Sequence, residues 1–148
     1  MVIRRAAEAD LDSILLLAQN IFESEQGIPR TLTDIPPEKQ PRWWCAEQDG
    51  HIVATVVAYA ENGCWHMGRL TVAEELRGQQ VATHLLRFAL QDLFSGEVEE
   101  LTMEARLTAV HILLKFGAEI TGPAVPFYVG TITPLRLTKS SFLSSAAT

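Results

Sequence analysis

Two dipeptides that favour tight β-hairpin turns divide the middle of this chain, and they constrain its fold more than any other feature. Asp49-Gly50 and Asn62-Gly63 each stand between segments rich in Val, Ile, Trp and Tyr. Such dipeptides suit two-residue turns because both turn positions need a positive φ. We therefore predict an antiparallel meander of three strands at 43–48, 51–61 and 64–72.

Apolar residues recur at helical spacing on both sides of this meander. The pattern predicts helices at 11–22, 78–94 and 108–116, and further strands at 2–6, 99–105, 118–121 and 129–138. The path from the third meander strand through the long helix to the next strand is a right-handed parallel crossover. The fold class is therefore α/β or α+β, with a mixed sheet and helices packed on it.

Two segments carry neither the helical nor the strand pattern. Four prolines within 27–41 predict a loop, which is either a binding loop or lid or a passive surface connection. The end of the chain, 139–148, is rich in Ser and Ala, and we expect it to form a flexible C-terminal tail. A chain of 148 residues fits one domain, which we place at 1–138.

Charge and hydropathy restrict the partners. Twelve Lys and Arg against eighteen Asp and Glu give a formal net charge of −6, and nucleic-acid binding needs a basic face, so we expect no nucleic-acid partner. The longest apolar stretch, 52–60, is about half the roughly twenty residues that a membrane-spanning helix needs, so we expect no membrane association. Because Glu8, Asp10 and Asp12 stand where a signal peptide is apolar, we expect a cytoplasmic protein.

The cysteines and histidines do not predict a metal site or a disulfide. There is no C-x-x-C pair, and the four histidines lack metal-ligand spacing, so we expect no metal. In the predicted register Cys45 lies opposite Ala54 and Cys64 opposite Glu61, about 23 Å apart along the middle strand. A disulfide allows about 7 Å between Cα atoms. Both cysteines are therefore predicted to be free thiols.

One segment, 69–86, combines a strand end, a short turn and a helix start. Its turn, R-G-Q-Q-V-A at 77–82, places free backbone N–H groups at a helix N-terminus, where an anion such as phosphate binds. The G-x-G-x-x-G and G-x-x-x-x-G-K-[ST] patterns are absent, so dinucleotide and nucleoside triphosphate sites lose support.

This turn resembles the acyl-CoA-binding motif [RQ]-x-x-G-x-[GA] of the GNAT superfamily of N-acetyltransferases. Arg77 fills the first position and Ala82 the last, while Gln80 stands where glycine is usual. The segment E-A-R-L-T-A-V-H-I-L-L-K-F-G-A-E-I-T-G at 104–122 resembles the later family motif A-R-x-x-A-x-x-F-Y-x-K-x-G-F-x-x-x-G, and the start of the chain resembles the first strand and helix. The resemblance covers nearly the whole chain. It implies a GNAT-like fold, which is a mixed, mostly antiparallel sheet with a central parallel pair and helices on both faces.

The resemblance also implies an activity. An enzyme of this family moves an acetyl group from acetyl-CoA, its co-substrate, to a primary amine of a small molecule or peptide by direct transfer in a ternary complex. The alternative is a catalytically degenerate domain that binds CoA or a partner without turnover. A homodimer is a further expectation. The implied cofactor-binding residues are Leu70, Thr71, Val72, Arg77, Gly78, Gln79, Gln80, Val81, Ala82 and Thr83.

The catalytic positions of the family are matched less completely than its cofactor-binding positions. His66 stands at the family's base position, and strict strand alternation would put it on one face with Gly68, Leu70 and Val72. An imidazole suits proton transfer near neutral pH. Ile112-Leu113 replaces the family's Phe-Tyr pair, so the leaving thiolate takes its proton from Tyr128 or from solvent.

Three further side chains are candidates for the site. One of Trp43 and Trp44 is expected to line a substrate pocket and the other to lie in the core. Glu104 is a candidate to face the cleft between splayed strands.

Overall fold

The structure is a computed structural model that describes residues 1–25, 27 and 35–146. Over these ranges it contains strands β1 (Val2–Arg5), β2 (Arg42–Gln48), β3 (His51–Glu61), β4 (Cys64–Val72), β5 (Glu100–Ala105), β6 (Glu119–Ile120), β7 (Val125–Pro126) and β8 (Thr131–Thr138). The helices are α1 (Leu11–Glu25), α2 (Val81–Phe94), α3 (Leu107–Lys115) and α4 (Lys139–Ala146). None of the described helices combines the length and the apolar character that crossing a membrane requires.

The strands form one mixed sheet in the order β1-β2-β3-β4-β5-β8-β6, with β7 paired to β8. Only the β4–β5 pair is parallel among the described strands, and α2 forms the crossover between its two members. One face packs on α1 through Ile14, Trp43, Cys45 and Val57. The other face packs on α2 and α3 in the larger core. The predicted mixed sheet with a central parallel pair and helices on both faces is confirmed.

Both predicted hairpins are present, and their turns determine the bounds of β3 and β4. At each turn the two central residues adopt positive φ, between 52° and 78°, as a two-residue turn requires. One detail of the register is wrong: Cys45 lies opposite Thr55 rather than Ala54, because an irregularity between Ala46 and Glu47 gives β3 one extra residue. Cys45 is buried, Cys64 is exposed, and both are free thiols as predicted.

The prediction of a flexible tail is wrong for 139–146. These residues form α4, in which Phe142 is only 1% exposed and packs against Phe94 and Phe116, with ring centroids 5.6 and 6.0 Å away. Burying a side chain of this size contributes about 1.5–3 kcal/mol, which is enough to hold an otherwise Ser-rich helix on the core. Residues 147–148 lie outside the described part of the chain.

Candidate active site

The site begins where two neighbouring parallel strands part. β4 and β5 pair through three residues, ending at Met67 opposite Met103, and then diverge although both strands continue. A cleft of about 840 Å³ opens in the gap and is lined by residues from both faces of the sheet. Its volume lies in the range of small-molecule and cofactor pockets.

A bulge at Arg69 turns β4 away from its partner. Arg69 adopts φ 53°, and the register with β3 shifts so that β4 carries one residue more than β3 over this stretch. The predicted face assignment is therefore wrong beyond the bulge. Leu70 and Val72 pack against the core of the α2 face, whereas His66 lies opposite Tyr59 on the α1 face.

The turn before α2 leaves a row of backbone donors available. In the described part of the chain, no N–H group of residues 78–83 donates to another backbone group; the ordinary helical bonds start at His84, whose N–H donates to Gln80. Gly78 and Gln80 adopt left-handed conformations, with φ 83° and 62°. For this reason α2 begins at Val81 and not at 78 as predicted. Free N–H groups at a helix N-terminus suit an anion.

Nine of the ten predicted cofactor-binding residues line the cleft, and Gln79 does not. The Gln79 side-chain amide instead donates to the Glu75 carbonyl at 3.4 Å. Arg77 donates from Nε to the Val72 carbonyl at 3.2 Å, which ties the turn to the end of β4. The structure thus brings the strand end and the helix start to one cleft.

The Val72 backbone faces the gap. The Ala73 N–H donates to Val53 on β3 at 2.8 Å. Because successive backbone N–H groups of a strand point to opposite sides, the Val72 N–H points away from β3, toward the space that β5 leaves. A donor in this position can reach a ligand lying along β4.

His66 lines the cleft on its α1 side and stacks on Tyr59, with 5.5 Å between ring centroids and 16° between ring planes. The Arg69 guanidinium lies over the same Tyr59 ring at 5.5 Å from its centroid. Glu61 also lines the cleft, and its carboxylate accepts a hydrogen bond from the Lys39 ammonium at 3.0 Å. This contact lowers the pKa of Glu61 below its usual range.

The facing strand adds Thr102 and Glu104 to the same side. Leu101, Met103 and Ala105 are buried in the α2-side core, so the alternate residues Thr102 and Glu104 project to the other face, where His66 lies. Both line the cleft, so the prediction that Glu104 faces it is confirmed.

Sequence reasoning missed Tyr59 and Arg69. A signal for Tyr59 was present, because a two-residue turn at Asn62-Gly63 fixes the register that pairs Tyr59 with His66. The sequence does not indicate the bulge at Arg69, because arginine rarely adopts a positive φ.

Several residues considered for the site either lie outside the cleft or lack a catalytic group. Tyr128 is 54% exposed and does not line the cleft. Ile112 and Leu113 do line it, so the positions of the family's Phe-Tyr pair carry no proton donor there. Trp43 and Trp44 are both buried in the two cores and neither reaches the cleft, because β2 is separated from it by β3.

Arg106 fixes the loop that closes one end of the cleft. Its Nη1 donates to the Phe127 carbonyl at 3.1 Å and to the Val129 carbonyl, and its guanidinium lies 5.4 Å from the Phe127 ring centroid. Burial lowers the pKa of Arg106. Phe127 lines the cleft, so this clasp holds one of its walls.

The predicted loop and any metal ligands can be compared with the structure only over the described residues. Of the loop at 27–41, residues 28–34 lie outside the described part of the chain. Among the residues that the structure does describe, no group of three or more His, Cys, Asp or Glu side chains is arranged to hold a metal ion.

The sequence matches the model of the Acetyltransferase (GNAT) family over residues 11–118. Escherichia coli ElaA has a TM-score of 0.77 at 17% identity, covering 91% of this chain and 96% of that chain. A comparison with curated protein sequences gives no match.

Two further solved structures share the fold at low identity. The ribosomal-protein-alanine N-acetyltransferase from Brucella melitensis has a TM-score of 0.73 at 20% identity, covering 93% of this chain and 99% of that chain. The spermidine N-acetyltransferase from Vibrio cholerae, in complex with CoA and spermine, has a TM-score of 0.69 at 18% identity, covering 96% and 97%.

Proposed function

This chain belongs to the acetyltransferase (GNAT) family, and from that premise we propose that it transfers an acetyl group from acetyl-CoA to a primary amine. The acceptor is a small molecule or a peptide, and transfer is direct within a ternary complex. The observation that carries the proposal is the row of available N–H groups at 78–83, which opens into the same cleft that His66 lines. Solved neighbours with names that specify an acceptor include acetyltransferases of ribosomal-protein alanine, of spermidine and of aminoglycosides, which supports an amine.

The α2 end of the cleft would hold the cofactor. The N–H groups of residues 78–83 donate to the pyrophosphate, and the positive end of the α2 dipole favours its charge. Leu70, Thr71 and Val72 lie along the gap between β4 and β5, where their backbone can pair with the pantetheine arm. Acetyl-CoA supplies a thioester carbonyl to be attacked and a thiolate that leaves.

The acceptor amine would be deprotonated and would react at the α1 end of the cleft. His66 takes a proton from the acceptor ammonium, because only the neutral amine has a lone pair to attack with. The Val72 N–H donates to the carbonyl oxygen, on which negative charge develops during attack. A C–N bond forms and the C–S bond breaks. The thiolate takes its proton from solvent, since Leu113 occupies the family tyrosine position and Tyr128 lies outside the cleft.

That missing proton donor also supports a second candidate function. A domain that binds CoA without turnover needs the amide row but no acid, and a domain that binds another partner needs neither. Leu113 at the cleft wall is the specific observation in its favour.

One experiment separates the two candidates. Thiol release from acetyl-CoA is measured with a wide panel of primary amines, beside a calorimetric titration with CoA. Amine-dependent release supports the acetyltransferase. CoA binding without release from any amine supports the degenerate domain. Failure to bind CoA at all contradicts the acetyltransferase and the CoA-binding domain, because each depends on the amide row, and leaves only a domain that binds a partner.

A further inference from the structure

Apolar and aromatic side chains form the walls of the cleft on its α1 side. Ile21 comes from α1 and Tyr59 from β3, and both line the cleft. Phe127, between β7 and β8, also lines it and packs against Ala18 of α1. Ile132 of β8 lines it from the face opposite to the core residues of that strand. The walls on this side are therefore suited to an apolar group.

Glu104 is the carboxylate on this side that is left for a ligand. It lies on the same face as His66, two residues beyond Thr102, the residue paired with His66. Its side chain lines the cleft and is exposed, and within the described part of the chain no hydrogen bond or ion pair engages it. Glu61, the other carboxylate among the described lining residues, is bound to the Lys39 ammonium at 3.0 Å. One open carboxylate suits one ammonium.

The space beside His66 is open. Gly68 lies two residues beyond His66, opposite Val57 on the α1 face. A Cβ built at Gly68 meets no other atom within 4 Å. A small molecule can therefore lie over Gly68, between the open carboxylate and the apolar walls.

Resting on the acetyl transfer proposed above, we infer that the acceptor is a small monoamine with an apolar body, such as an arylalkylamine or a long-chain alkylamine. The Glu104 carboxylate binds the acceptor ammonium, and His66 then removes a proton from it. The amine nitrogen bonds to the acetyl carbon and the C–S bond of acetyl-CoA breaks, as described above. The aryl or alkyl part contacts Ile21 and Phe127, and its removal from water favours binding.

The same surroundings disfavour a diamine or a polyamine. A second ammonium at the apolar walls loses its hydration, and the described lining holds no further open carboxylate to replace it. The Arg106 guanidinium lies 5.4 Å from the centroid of the Phe127 ring, so a second ammonium at that wall also meets a like charge.

The test compares acceptors that differ in one group. n-Heptylamine and 1,6-diaminohexane have the same length and differ in a terminal methyl group against a second ammonium. 2-Phenylethylamine and ethylamine differ in the phenyl ring, and spermidine is the polycation. Thiol release from acetyl-CoA is measured with each. We expect kcat/KM for n-heptylamine and for 2-phenylethylamine to exceed that of the other member of the pair at least about tenfold.

Variants assign this preference to the walls and to the carboxylate. Ile21→Ala should lower kcat/KM for n-heptylamine and 2-phenylethylamine at least about fivefold and leave ethylamine and CoA affinity unchanged. Leu16→Ala is the matched control, because Leu16 is an exposed apolar residue of the same helix that does not line the cleft. Glu104→Gln should raise KM for every amine and preserve the ratios within both pairs. Glu100→Gln, on the same strand but outside the cleft lining, is its control.

The failures are distinguishable. Equal kcat/KM within either pair, or a preference for 1,6-diaminohexane or spermidine, overturns the apolar monoamine and leaves the proposed acetyltransferase intact. An unchanged acceptor profile in Ile21→Ala overturns the assignment of the apolar group to this wall, and an unchanged KM in Glu104→Gln overturns the ammonium site. Absence of release with every amine overturns the inference together with the acetyltransferase on which it rests.

Discussion

The His66 imidazole lies nearly parallel to the Tyr59 ring on the neighbouring strand, with 5.5 Å between centroids and 16° between planes. The two residues are direct register partners in the β3–β4 hairpin. Stacking on a strand-borne ring fixes the plane of the imidazole at the cleft wall. His66 is thereby held in one orientation, as a group that transfers a proton to or from a bound substrate must be.

The first prediction concerns His66 as the base. His66→Ala is expected to lower kcat by roughly 10²-fold or more, because positioned proton transfer contributes that much. CoA affinity, measured by titration, should change little. His111→Ala, an exposed histidine on α3, is the matched control and should leave both quantities unchanged. Full activity in His66→Ala removes this residue from the mechanism.

The second prediction concerns the turn at 77–82, at the start of α2. Gly78→Pro is expected to abolish measurable CoA binding, because proline removes one amide donor and its φ near −65° is incompatible with 83°. Gly50→Pro is the control: Gly50 has a φ of 78° in a turn that does not line the cleft, so the backbone strain is comparable. Titrations run well below each melting temperature should show CoA affinity retained in the control. Retained affinity in Gly78→Pro would falsify the amide row as the cofactor site.

The third prediction concerns the space over Gly68. Gly68→Leu should raise KM for the amine by tenfold or more, since the side chain enters open cleft volume and meets no protein atom at its Cβ. CoA affinity and melting temperature should stay close to the parent values. Gly96→Leu is the matched control, because a Cβ there makes only an ordinary contact, 3.7 Å from the Leu93 carbonyl. Unaltered amine kinetics in Gly68→Leu place the acceptor elsewhere.

Turn chemistry made much of the fold predictable. The Asp49-Gly50 and Asn62-Gly63 dipeptides dictate two-residue turns, and with them the bounds of β3 and β4. Two of the features that sequence reasoning missed depend on non-glycine residues in left-handed conformations. Arg69 and Gln80 both have positive φ, which residue type does not reveal, and they shift the faces of β4 and the start of α2.

The α2 side of the candidate site was more predictable than its α1 side. The turn at 77–82 is a local motif, so its sequence alone indicates that a row of cleft residues begins there. The α1 side depends on contacts across strands, such as Tyr59 with His66, and on the divergence of β4 and β5 after Met67. The prediction placed Tyr128 in the site, whereas Tyr128 lies in a turn with a φ of 52°. The Phe127 N–H closes this turn by donating to the Gly130 carbonyl.

The fourth prediction follows from the strain at Gln80. A non-glycine residue with φ 62° destabilises the folded state by about 1–2 kcal/mol, and glycine at this position removes that strain. Glycine also has greater conformational freedom in the unfolded chain, which offsets about 0.5–1 kcal/mol of the gain. Gln80→Gly should therefore raise the free energy of unfolding by up to roughly 1 kcal/mol and leave CoA affinity equal or better. Gln79→Gly, at a position without positive φ, is the control and should lower stability. Destabilisation of Gln80→Gly in urea unfolding contradicts this account.

The fifth prediction concerns Asp10, which joins β1 to the start of α1. Both of its carboxylate oxygens accept hydrogen bonds from Arg4, at 2.7 and 3.0 Å, and Oδ2 also accepts one from the Ala7 N–H. These bonds, above all those from Arg4, lower the pKa of Asp10 from 3.8 to about 2. A carboxyl group whose pKa is lower in the folded than in the unfolded state stabilises the folded protein at pH values above its pKa in the unfolded state. This contribution is lost as the pH falls through the pKa of the group in the folded state.

Asp10→Asn should therefore reduce the free energy of unfolding near neutral pH, and the difference from the parent should shrink as the pH falls from about 4 to about 2. Urea unfolding at a series of pH values measures this directly. Asp49→Asn is the matched control, because asparagine suits the same exposed turn position and should leave stability nearly unchanged across the series. A deficit in Asp10→Asn that stays constant down to pH 2 would mean that the carboxylate's charge does not contribute, and that Asp10 acts through its shape alone.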